Sequence, residues 1–235
     1  MNQSALVIFS GGQDSTTCLG WALERFNLVK TIGFFYGQRH EIEMECRVEV
    51  FSAMAKLNPL WKERLSSDWT TQLSLFKDIG GTSLTSDAEI KMSEKGLPNT
   101  FVPGRNLLFL TVAAAYAYRQ GINHIVLGVC ETDFSGYPDC RDDAIKAMQV
   151  ALNIGMDAKF VFHTPLMWLN KAQTWFLAND LGGVPFVNLI LEHTHTCYLG
   201  TRNERHEWGY GCGKCPACTL RKQGFLDYNK NVDLA

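Results

Sequence analysis

The stretch Ala5-Leu6-Val7-Ile8-Phe9-Ser10-Gly11-Gly12-Gln13-Asp14-Ser15-Thr16-Thr17 decides the fold of this 235-residue chain. Its first five residues are apolar and rich in β-branched and aromatic types, which favours a strand. The apolar residues within 18–23 have the spacing of a helix. We therefore expect a strand, a tight glycine turn and the start of a helix.

The turn at 10–17 has the features of a phosphate-binding loop. Glycines allow backbone N–H groups to approach an anion closely, and the free N–H groups at a helix start carry partial positive charge. Additional donors around this turn are the hydroxyls of Ser10, Ser15, Thr16 and Thr17. A glycine pair alone would be weak support, because many α/β proteins turn in this way without a ligand.

The string Ser10-Gly11-Gly12-Gln13-Asp14-Ser15 is more specific, because it resembles the pyrophosphate loop of the PP-loop ATP pyrophosphatases. These enzymes split ATP between its α and β phosphates and transfer AMP. A Walker loop is excluded, since no Gly-Lys-Ser or Gly-Lys-Thr follows at the required spacing. The resemblance implies adenylation and an α/β fold with a parallel, Rossmann-like sheet.

The composition fits one globular α/β domain with a small appendage. Apolar residues make up 46% of the chain, charged residues make up 20%, and the formal net charge is −2. Nothing in these values predicts a broad nucleic-acid or membrane-binding surface. The apolar stretch 107–118 is about half of the roughly 20 residues needed to cross a bilayer. We expect a cytoplasmic protein, with no room for a signal peptide before the first strand.

The remaining elements are predicted from hydrophobic periodicity. Further strands are expected at 29–36, 124–129 and 160–163. Helices are expected at 41–54, 107–118, 140–153 and from 170 to the pair Gly182-Gly183. Residues 58–100 have no long period, and we expect a short strand and a ligand-covering loop there.

The segment 130–141 follows a predicted strand, and open α/β sheets bind ligands at the carboxyl ends of their strands. It contains three carboxylates, an arginine and two aromatic residues, which would suit a flat polar heterocycle through stacking and edge hydrogen bonds. Its cysteines, Cys130 and Cys140, are weaker candidates for a nucleophile, because no histidine adjoins either. The candidate substrate-binding residues of this segment are Asp133, Tyr137, Asp139 and Arg141.

Four residues elsewhere have two possible roles. Arg105 and Asn106 follow a Pro-Gly turn and either cap a helix or bind the substrate. In the second case Arg105 lies beside a phosphate or a carboxylate, which its guanidinium can bond bidentately. His40 is either a base or a polar residue in front of a helix, and Lys171 either reaches phosphate or is solvated.

Four cysteines near the C-terminus have the spacing of a metal site. Cys212, Cys215 and Cys218 have two residues between each successive pair, so that a turn can point their sulfurs at one ion, and Cys197 supplies a fourth thiolate. Zinc with four thiolates would be structural and would attach the C-terminal tail to the domain. An iron–sulfur cluster is the alternative, and His206 is available as a substitute ligand. We predict a PP-loop domain at 1–190 and a zinc-binding segment at 191–235.

These motifs together resemble the 7-cyano-7-deazaguanine synthase family, the QueC family of PP-loop enzymes. The matching strings are Phe9-Ser10-Gly11-Gly12-Gln13-Asp14-Ser15, Tyr36-Gly37-Gln38-Arg39-His40, Asn99-Thr100-Phe101-Val102-Pro103-Gly104-Arg105-Asn106, 128–141, Thr164-Pro165-Leu166-Met167-Trp168, Thr196-Cys197-Tyr198 and 212–218. There are two departures from the family pattern. Phe35 stands where the family has an aspartate, and 202–210 looks like an insertion between the first and second cysteines of the metal site.

The resemblance implies an ATP-dependent ligase that converts 7-carboxy-7-deazaguanine and ammonia to 7-cyano-7-deazaguanine in queuosine biosynthesis. It implies Mg²⁺ with ATP, one structural Zn²⁺ and a homodimer, with the deazaguanine held by 133–141. The implied ATP-binding residues are Phe9, Ser10, Gly11, Gly12, Gln13, Asp14, Ser15, Thr16, Thr17, Cys18 and Leu19. Catalysis would rest mainly on positioning and charge stabilisation, and the sequence identifies no general base.

Two other functions are weighed against this one. A PP-loop tRNA thiolase or lysidine-type enzyme would act directly on nucleic acid and would need a basic surface, which the near-neutral charge disfavours. A nucleotide-binding sensor with a zinc interaction knob would bind ATP without turnover. Pyrophosphate release that depends on the carboxylated deazaguanine would distinguish the enzyme from the sensor.

Overall fold

A five-stranded parallel sheet forms the centre of the molecule. We describe residues 3–37, 42–76, 99–132 and 137–232 of a computed structural model. The strands are β1 Ser4–Ile8, β2 Leu28–Phe35, β3 Leu65–Gln72, β4 His124–Val126 and β5 Val161–His163. They are ordered β3-β2-β1-β4-β5, and all four pairings are parallel. The strand order reverses between β1 and β4, which is where open α/β sheets bind ligands.

Helices cover both faces of this sheet, as expected of a parallel sheet. They are α1 Gln13–Arg25, α2 Ile42–Leu57, α3 Pro59–Arg64, α4 Arg105–Gln120, α5 Asp142–Gly155, α6 Lys171–His193 and α7 Pro216–Val232. A 3₁₀ turn at Pro138–Cys140 precedes α5. The two short antiparallel strands β6 Arg205–His206 and β7 Gly209–Tyr210 form a hairpin between α6 and α7. Within the described ranges, no helix is both long and apolar enough to cross a membrane.

The core lies on both faces of β1, because successive side chains of a strand point in opposite directions. Ala5 and Val7 belong to a cluster with buried residues of α1, α6 and α7. Leu6 belongs to a second cluster with buried residues of α4 and α5. The first cluster also contains residues of the C-terminal segment, including Trp208 and Phe225. This segment therefore extends the main core, and the boundary at residue 190 stays a prediction.

The predicted elements are confirmed with small shifts at their ends, except for the last predicted helix. We expected that helix to end at Gly182-Gly183, but α6 continues to His193. The helix is interrupted at Gly183, whose φ of 65° and ψ of −167° are not helical. Pro185 follows the break and suits the first turn of the second half, where its missing N–H costs little. The expected strand in 58–100 is β3, whereas the ligand-covering loop falls on 77–98, outside the described residues.

Candidate active site and metal centre

The loop between β1 and α1 has the strand, turn and helix geometry predicted from the sequence. Gly11 has a φ of +86°, a backbone conformation that residues with a side chain rarely adopt. A Cβ atom on Gly11 would lie 2.8 Å from the Cα atom of Arg47. Gly12 is the residue before the first turn of α1. Glycine is therefore required at position 11 both by conformation and by space.

Hydroxyl groups hold the loop in this shape. Ser15 Oγ donates to the carbonyl of Gly12 at 3.1 Å and accepts from the backbone N–H of Ser10 at 3.2 Å. Ser10 Oγ accepts from the N–H of Gly12 at 3.3 Å. Thr17 Oγ1 donates to the carbonyl of Gln13 at 3.0 Å, inside the helix. The two serines thus shape the loop, whereas Thr17 is turned away from it.

Arg47 of α2 packs against the loop from the protein interior. Its side chain is fully buried, donates to the carbonyl of Phe9 and forms an ion pair with Asp68 of β3. Burial lowers the pKa of Arg47 to about 10, while Asp68 acts in the opposite direction. A single buried guanidinium therefore joins the end of β1 to β3. No local pattern in the sequence indicates this contact, because Arg47 and Asp68 lie in different elements.

A cavity of about 340 Å³ opens above the loop at the carboxyl end of the sheet, within the size range of small-ligand sites. Six predicted ATP-binding residues line it: Phe9, Ser10, Gly12, Gln13, Asp14 and Ser15. The other five are buried and are not among its lining residues: Gly11, Thr16, Thr17, Cys18 and Leu19. The side-chain amide of Gln13 is buried and has no hydrogen-bond partner among the described residues.

Lys171 lies at the same cavity and pairs with Asp14. Its Nζ atom is 2.9 Å and 2.8 Å from the two carboxylate oxygens of Asp14. Asn170 and Gln173 form a capping box that fixes the start of α6, so Lys171 is held at the first turn. The side chain of Lys171 is only 10% exposed. Of the two roles predicted for Lys171, the solvated one is therefore wrong.

The first turn of α4 forms the other side of the cavity. Arg105, Asn106 and Tyr137 line it, as predicted for substrate-binding residues. Arg105 Nη1 donates to the hydroxyl of Tyr36 at 3.3 Å, and Arg105 Nε is buried without a described partner. The backbone N–H of Asn106 donates to the carboxylate of Asp139 at 3.0 Å. Asp139 therefore caps α4 from another segment of the chain.

The other candidates from the sequence lie elsewhere. Asp139 is buried and is not among the lining residues, and Arg141 is exposed at the start of α5. Asp133 and His40 fall outside the described residues. Burial, and to a smaller extent the negative charge of Asp139, raises the pKa of the Cys140 thiol to about 12. Cys140 lines the cavity, but such a thiol is a poor nucleophile at neutral pH.

Two further groups at the cavity were not predicted. Glu43 lies in the first turn of α2, and burial raises its pKa to about 7, although Arg105 acts to lower it. His195 is buried, and burial lowers its pKa to about 4, so the imidazole is neutral. Its Nε2 atom lies 3.0 Å from the carbonyl oxygen of Cys197, and its backbone N–H donates to the carbonyl of Gly11 at 3.3 Å. His195 thus connects the cysteine segment to the loop.

The four predicted metal-binding cysteines come together in space. The sulfur atoms of Cys197, Cys212, Cys215 and Cys218 all lie within 4.8 Å of one another. The Cys212–Cys218 and Cys197–Cys215 sulfur separations are both 4.0 Å. A tetrahedral zinc ion with Zn–S bonds of about 2.3 Å sets its sulfurs about 3.8 Å apart. The arrangement therefore fits one four-coordinate ion.

The surroundings of these cysteines also fit a metal centre. Gly213 has a φ of +69°, which lets the chain turn between Cys212 and Cys215. The backbone N–H groups of Lys214 and Cys215 donate to the sulfur of Cys212 at 3.4 Å and 3.3 Å. Hydrogen bonds from Cys215 and Cys218 lower the pKa of Cys197. Such donors stabilise the thiolate form, which is the form that binds metal.

Residues 4–229 match the family model described as queuosine biosynthesis protein QueC. The chain belongs to this family. A curated protein of Nitratidesulfovibrio vulgaris (strain DP4), named 7-cyano-7-deazaguanine synthase, is 66% identical over 225 residues, which cover 96% of this chain and 93% of that protein. A protein of the same name from Azorhizobium caulinodans is 65% identical over 224 residues, 95% of this chain and 93% of that protein.

The fold also has a counterpart of low sequence similarity. A crystal structure described as a 4-thiouridine synthetase–RNA complex with bound ATP matches with a TM-score of 0.54 and 13% identity. The match covers 97% of this chain and 51% of that chain. At this identity the likeness shows the fold alone, and it agrees with the parallel α/β architecture described above.

The two departures from the QueC family pattern lie outside the cavity wall. Phe35 ends β2 and pairs with Gln72 of β3, and it is not among the residues that line the cavity, unlike its neighbours Phe34 and Tyr36. Residues 202–210 include the β6–β7 hairpin, in which Trp208 is buried. Arg205 pairs with Glu192 of α6, and Arg221 of α7 donates to the carbonyl of Trp208. The four cysteines still lie together.

Proposed function

We propose that this chain is an ATP-dependent ligase that converts 7-carboxy-7-deazaguanine and ammonia to 7-cyano-7-deazaguanine in queuosine biosynthesis. Membership of the QueC family supports this reaction. Two relatives named 7-cyano-7-deazaguanine synthase, which are 65–66% identical over nearly the whole of both chains, support it as well. The tRNA-thiolating alternative is not favoured, because these relatives bear the synthase name.

The observation that carries the proposal is the single cavity shared by the loop and the first turn of α4. ATP with its phosphates at Ser10, Gly12 and Ser15 would present its α-phosphorus to the same space that Arg105 and Tyr137 line. The side-chain amide of Gln13 is buried without a described hydrogen-bond partner, which costs free energy of folding. A bound nucleotide would supply that partner. One cavity that held both ligands would bring the carboxylate of the acid and the α-phosphorus of ATP into contact.

The reaction needs two adenylations. A carboxylate oxygen attacks the α-phosphorus of ATP, pyrophosphate leaves, and the carboxyl carbon then carries AMP as a leaving group. Ammonia adds to that carbon, a proton is lost, and expulsion of AMP leaves the amide. The amide oxygen then attacks a second ATP, and loss of AMP and a proton gives the nitrile. Each nitrile therefore costs two ATP and releases two AMP and two pyrophosphates.

The residues of the loop have separate roles in this proposal. The backbone N–H groups at the start of α1 face the negative charge that develops on the phosphate oxygens. Lys171 supplies a positive charge at the same place. Asp14 would hold Mg²⁺, which offsets the charge of the departing pyrophosphate when it is bound. The Asp14–Lys171 pair keeps both charges in position before ATP arrives.

We further propose that the four cysteines hold one structural zinc ion. Sulfurs within 4.8 Å of one another suit a single ion, whereas in a cubane cluster each cysteine binds a different iron, which sets the sulfurs further apart. All four positions are sulfur, so the site has no open position for catalysis. A homodimer and a cytoplasmic location complete the proposal. The homodimer rests on the family resemblance, and the location rests on the eight cysteines, which form no disulfide bond among the described residues.

Mass spectrometry of the product tests this function. Purified protein with the carboxylated deazaguanine, ammonium and Mg-ATP should yield the nitrile and two AMP per nitrile. Nucleotide binding without turnover would instead identify a sensor, and ADP as the nucleotide product would refute adenylation.

A further inference from the structure

The cavity is also lined by an acidic and a basic side chain, Glu43 and Arg105, that nothing above uses together. Glu43 lies in the first turn of α2, Arg105 lies in the first turn of α4, and both line the cavity. Their charges interact, because Arg105 acts to lower the pKa of Glu43. Arg105 Nε is buried and has no hydrogen-bond partner among the described residues.

Aromatic rings flank Arg105, whose guanidinium carbon lies 5.5 Å from the ring centroid of Tyr36 and 6.0 Å from that of Phe109. Phe34 and Phe109 stack with their centroids 4.3 Å apart and their planes 7° apart. Tyr36 lies 5.6 Å from Phe109, and all three rings line the cavity. Flat apolar walls beside a few unpaired polar groups are typical of a site for a flat heterocycle.

The polar groups match one kind of ring edge. A guanine-type ring presents a carbonyl acceptor, a ring N–H donor and an exocyclic amino donor in a row. A carboxylate accepts two parallel N–H donors, and a guanidinium N–H donates to a carbonyl oxygen. A hypoxanthine-type ring lacks the amino donor, and an adenine-type edge has no carbonyl acceptor.

We propose that Glu43 and Arg105 bind the guanine-type edge of the substrate, Glu43 accepting its ring N–H and amino group and Arg105 donating to its carbonyl. This inference rests on the proposed function and deepens it, because it assigns the residues that select the substrate ring. The selectivity arises because an analogue without the amino group leaves a carboxylate oxygen buried and unpaired.

Protonation of Glu43 follows from the same geometry. Arg105 from α4 acts to lower the pKa of Glu43. Glu43 in turn acts to raise the pKa values of Tyr36, which follows β2, and of Cys46 further along α2. Burial raises the pKa of Glu43 to about 7 in the ligand-free site. Two N–H donors stabilise the ionised form, so substrate binding releases a proton. Substrate affinity should therefore fall as the pH drops below about 7.

Isothermal titration calorimetry and steady-state kinetics test this with two ligands. One is 7-carboxy-7-deazaguanine, and the other is the same acid without the exocyclic amino group. Both are measured with the wild type, Glu43→Gln and the control Glu45→Gln, one pH unit below and one above the pKa of about 7. Glu45 lies in the same turn of α2, but it is exposed and is not among the lining residues.

The wild type and Glu45→Gln should prefer the amino-bearing acid by roughly 10–100-fold in Kd and KM at the higher pH. This preference should shrink at the lower pH. Glu43→Gln should reduce the preference to within about 3-fold and remove its pH dependence, because an amide offers one acceptor and places a donor against the amino group.

An undiminished preference in Glu43→Gln would overturn the proposal, as would a loss of kcat with the preference intact, which would indicate a role in the chemistry. If Glu43→Gln does not fold, the wild type decides: equal affinity for the two acids, or a preference independent of pH, refutes the assignment. Turnover of both acids with equal KM defeats only this inference. Absence of any turnover of the amino-bearing acid by the wild type defeats the proposed function as well.

Discussion

Replacement of Gly11 by alanine tests whether the loop is held rigidly against the protein interior. Gly11 has a φ of +86°, and an added Cβ would lie 2.8 Å from both the Cα and the N atom of Arg47. These are backbone atoms of a residue whose side chain is fully buried and bonded to Phe9 and Asp68. The contact cannot be relieved by rotating a side chain, so either the loop or α2 must move.

The size of the effect follows from two contributions. A left-handed backbone costs an L-residue about 1–2 kcal/mol, and overpacking against an immobile neighbour costs about 1–3 kcal/mol more. The sum of roughly 2–5 kcal/mol corresponds to a Tm lowered by roughly 5–20 °C for a protein of this length. The displaced loop should also bind ATP more weakly, since its N–H groups no longer converge on one phosphate.

Gly121→Ala is the matched control. Gly121 has a φ of +66° but no atom within 4 Å of the added Cβ, so only the conformational cost of about 1–2 kcal/mol applies. Thermal unfolding followed by circular dichroism, with and without ATP, compares the two variants with the wild type. The reasoning is refuted if Gly11→Ala unfolds at the same temperature as Gly121→Ala and is stabilised by ATP as strongly as the wild type.

Three further predictions concern the charges and the metal. Asp14→Ala and Lys171→Met should each lower kcat/KM by roughly 100-fold or more while the metal content stays near wild type, because both act on developing phosphate charge; wild-type rates would contradict this. Cys215→Ser should lose metal and stability together, measured by atomic absorption and thermal unfolding, and a metal-replete, stable variant would argue against the site. The folded-state pKa of Glu43 is raised from 4.5 to about 7, so its stabilising contribution is present below pH 4.5 and is lost as the pH rises to about 7. Above pH 7, Glu43→Gln should therefore have a larger free energy of unfolding than the wild type, by up to roughly 3 kcal/mol, and a higher Tm. Below pH 4.5 no such gain is expected.

Motifs whose meaning lies in local spacing could be predicted from the sequence. The β1–loop–α1 unit needs only an apolar run, two glycines and a helical pattern, all within about 20 residues. The three cysteines at 212–218 are likewise a local signal, and the separation of 4.0 Å between the sulfurs of Cys212 and Cys218 confirms that they come together. In both cases the residues that define the feature are neighbours in the chain or share an unusual side chain.

The contacts that support the site could not be predicted, because they join distant parts of the chain. The burial of Arg47 depends on Asp68 of β3, and nothing in the pattern of α2 distinguishes Arg47 from its exposed neighbours. The pairing of Asp14 with Lys171 spans 157 positions. Glu43 and Arg105 line one cavity although they belong to different helices. A single sequence carries no measure of such proximity.

The break at Gly183 illustrates a third case, in which the signal was present but incomplete. The glycine pair predicts the end of a helix, and Gly183 does leave the helical conformation, although α6 continues beyond it. The sequence did not show that a second helical segment starts at once, because Pro185 is as typical of a loop as of a first helical turn. Packing of Phe186 and Ile190 into the core decides between them.

The most direct test of the central claim uses substrate labelled with ¹⁸O in both oxygens of its carboxylate. If each oxygen in turn attacks the α-phosphorus of ATP, every nitrile formed should be accompanied by two AMP molecules that each carry one ¹⁸O atom. Unlabelled AMP, or ADP as the nucleotide product, would contradict adenylation of the acid at the loop between β1 and α1.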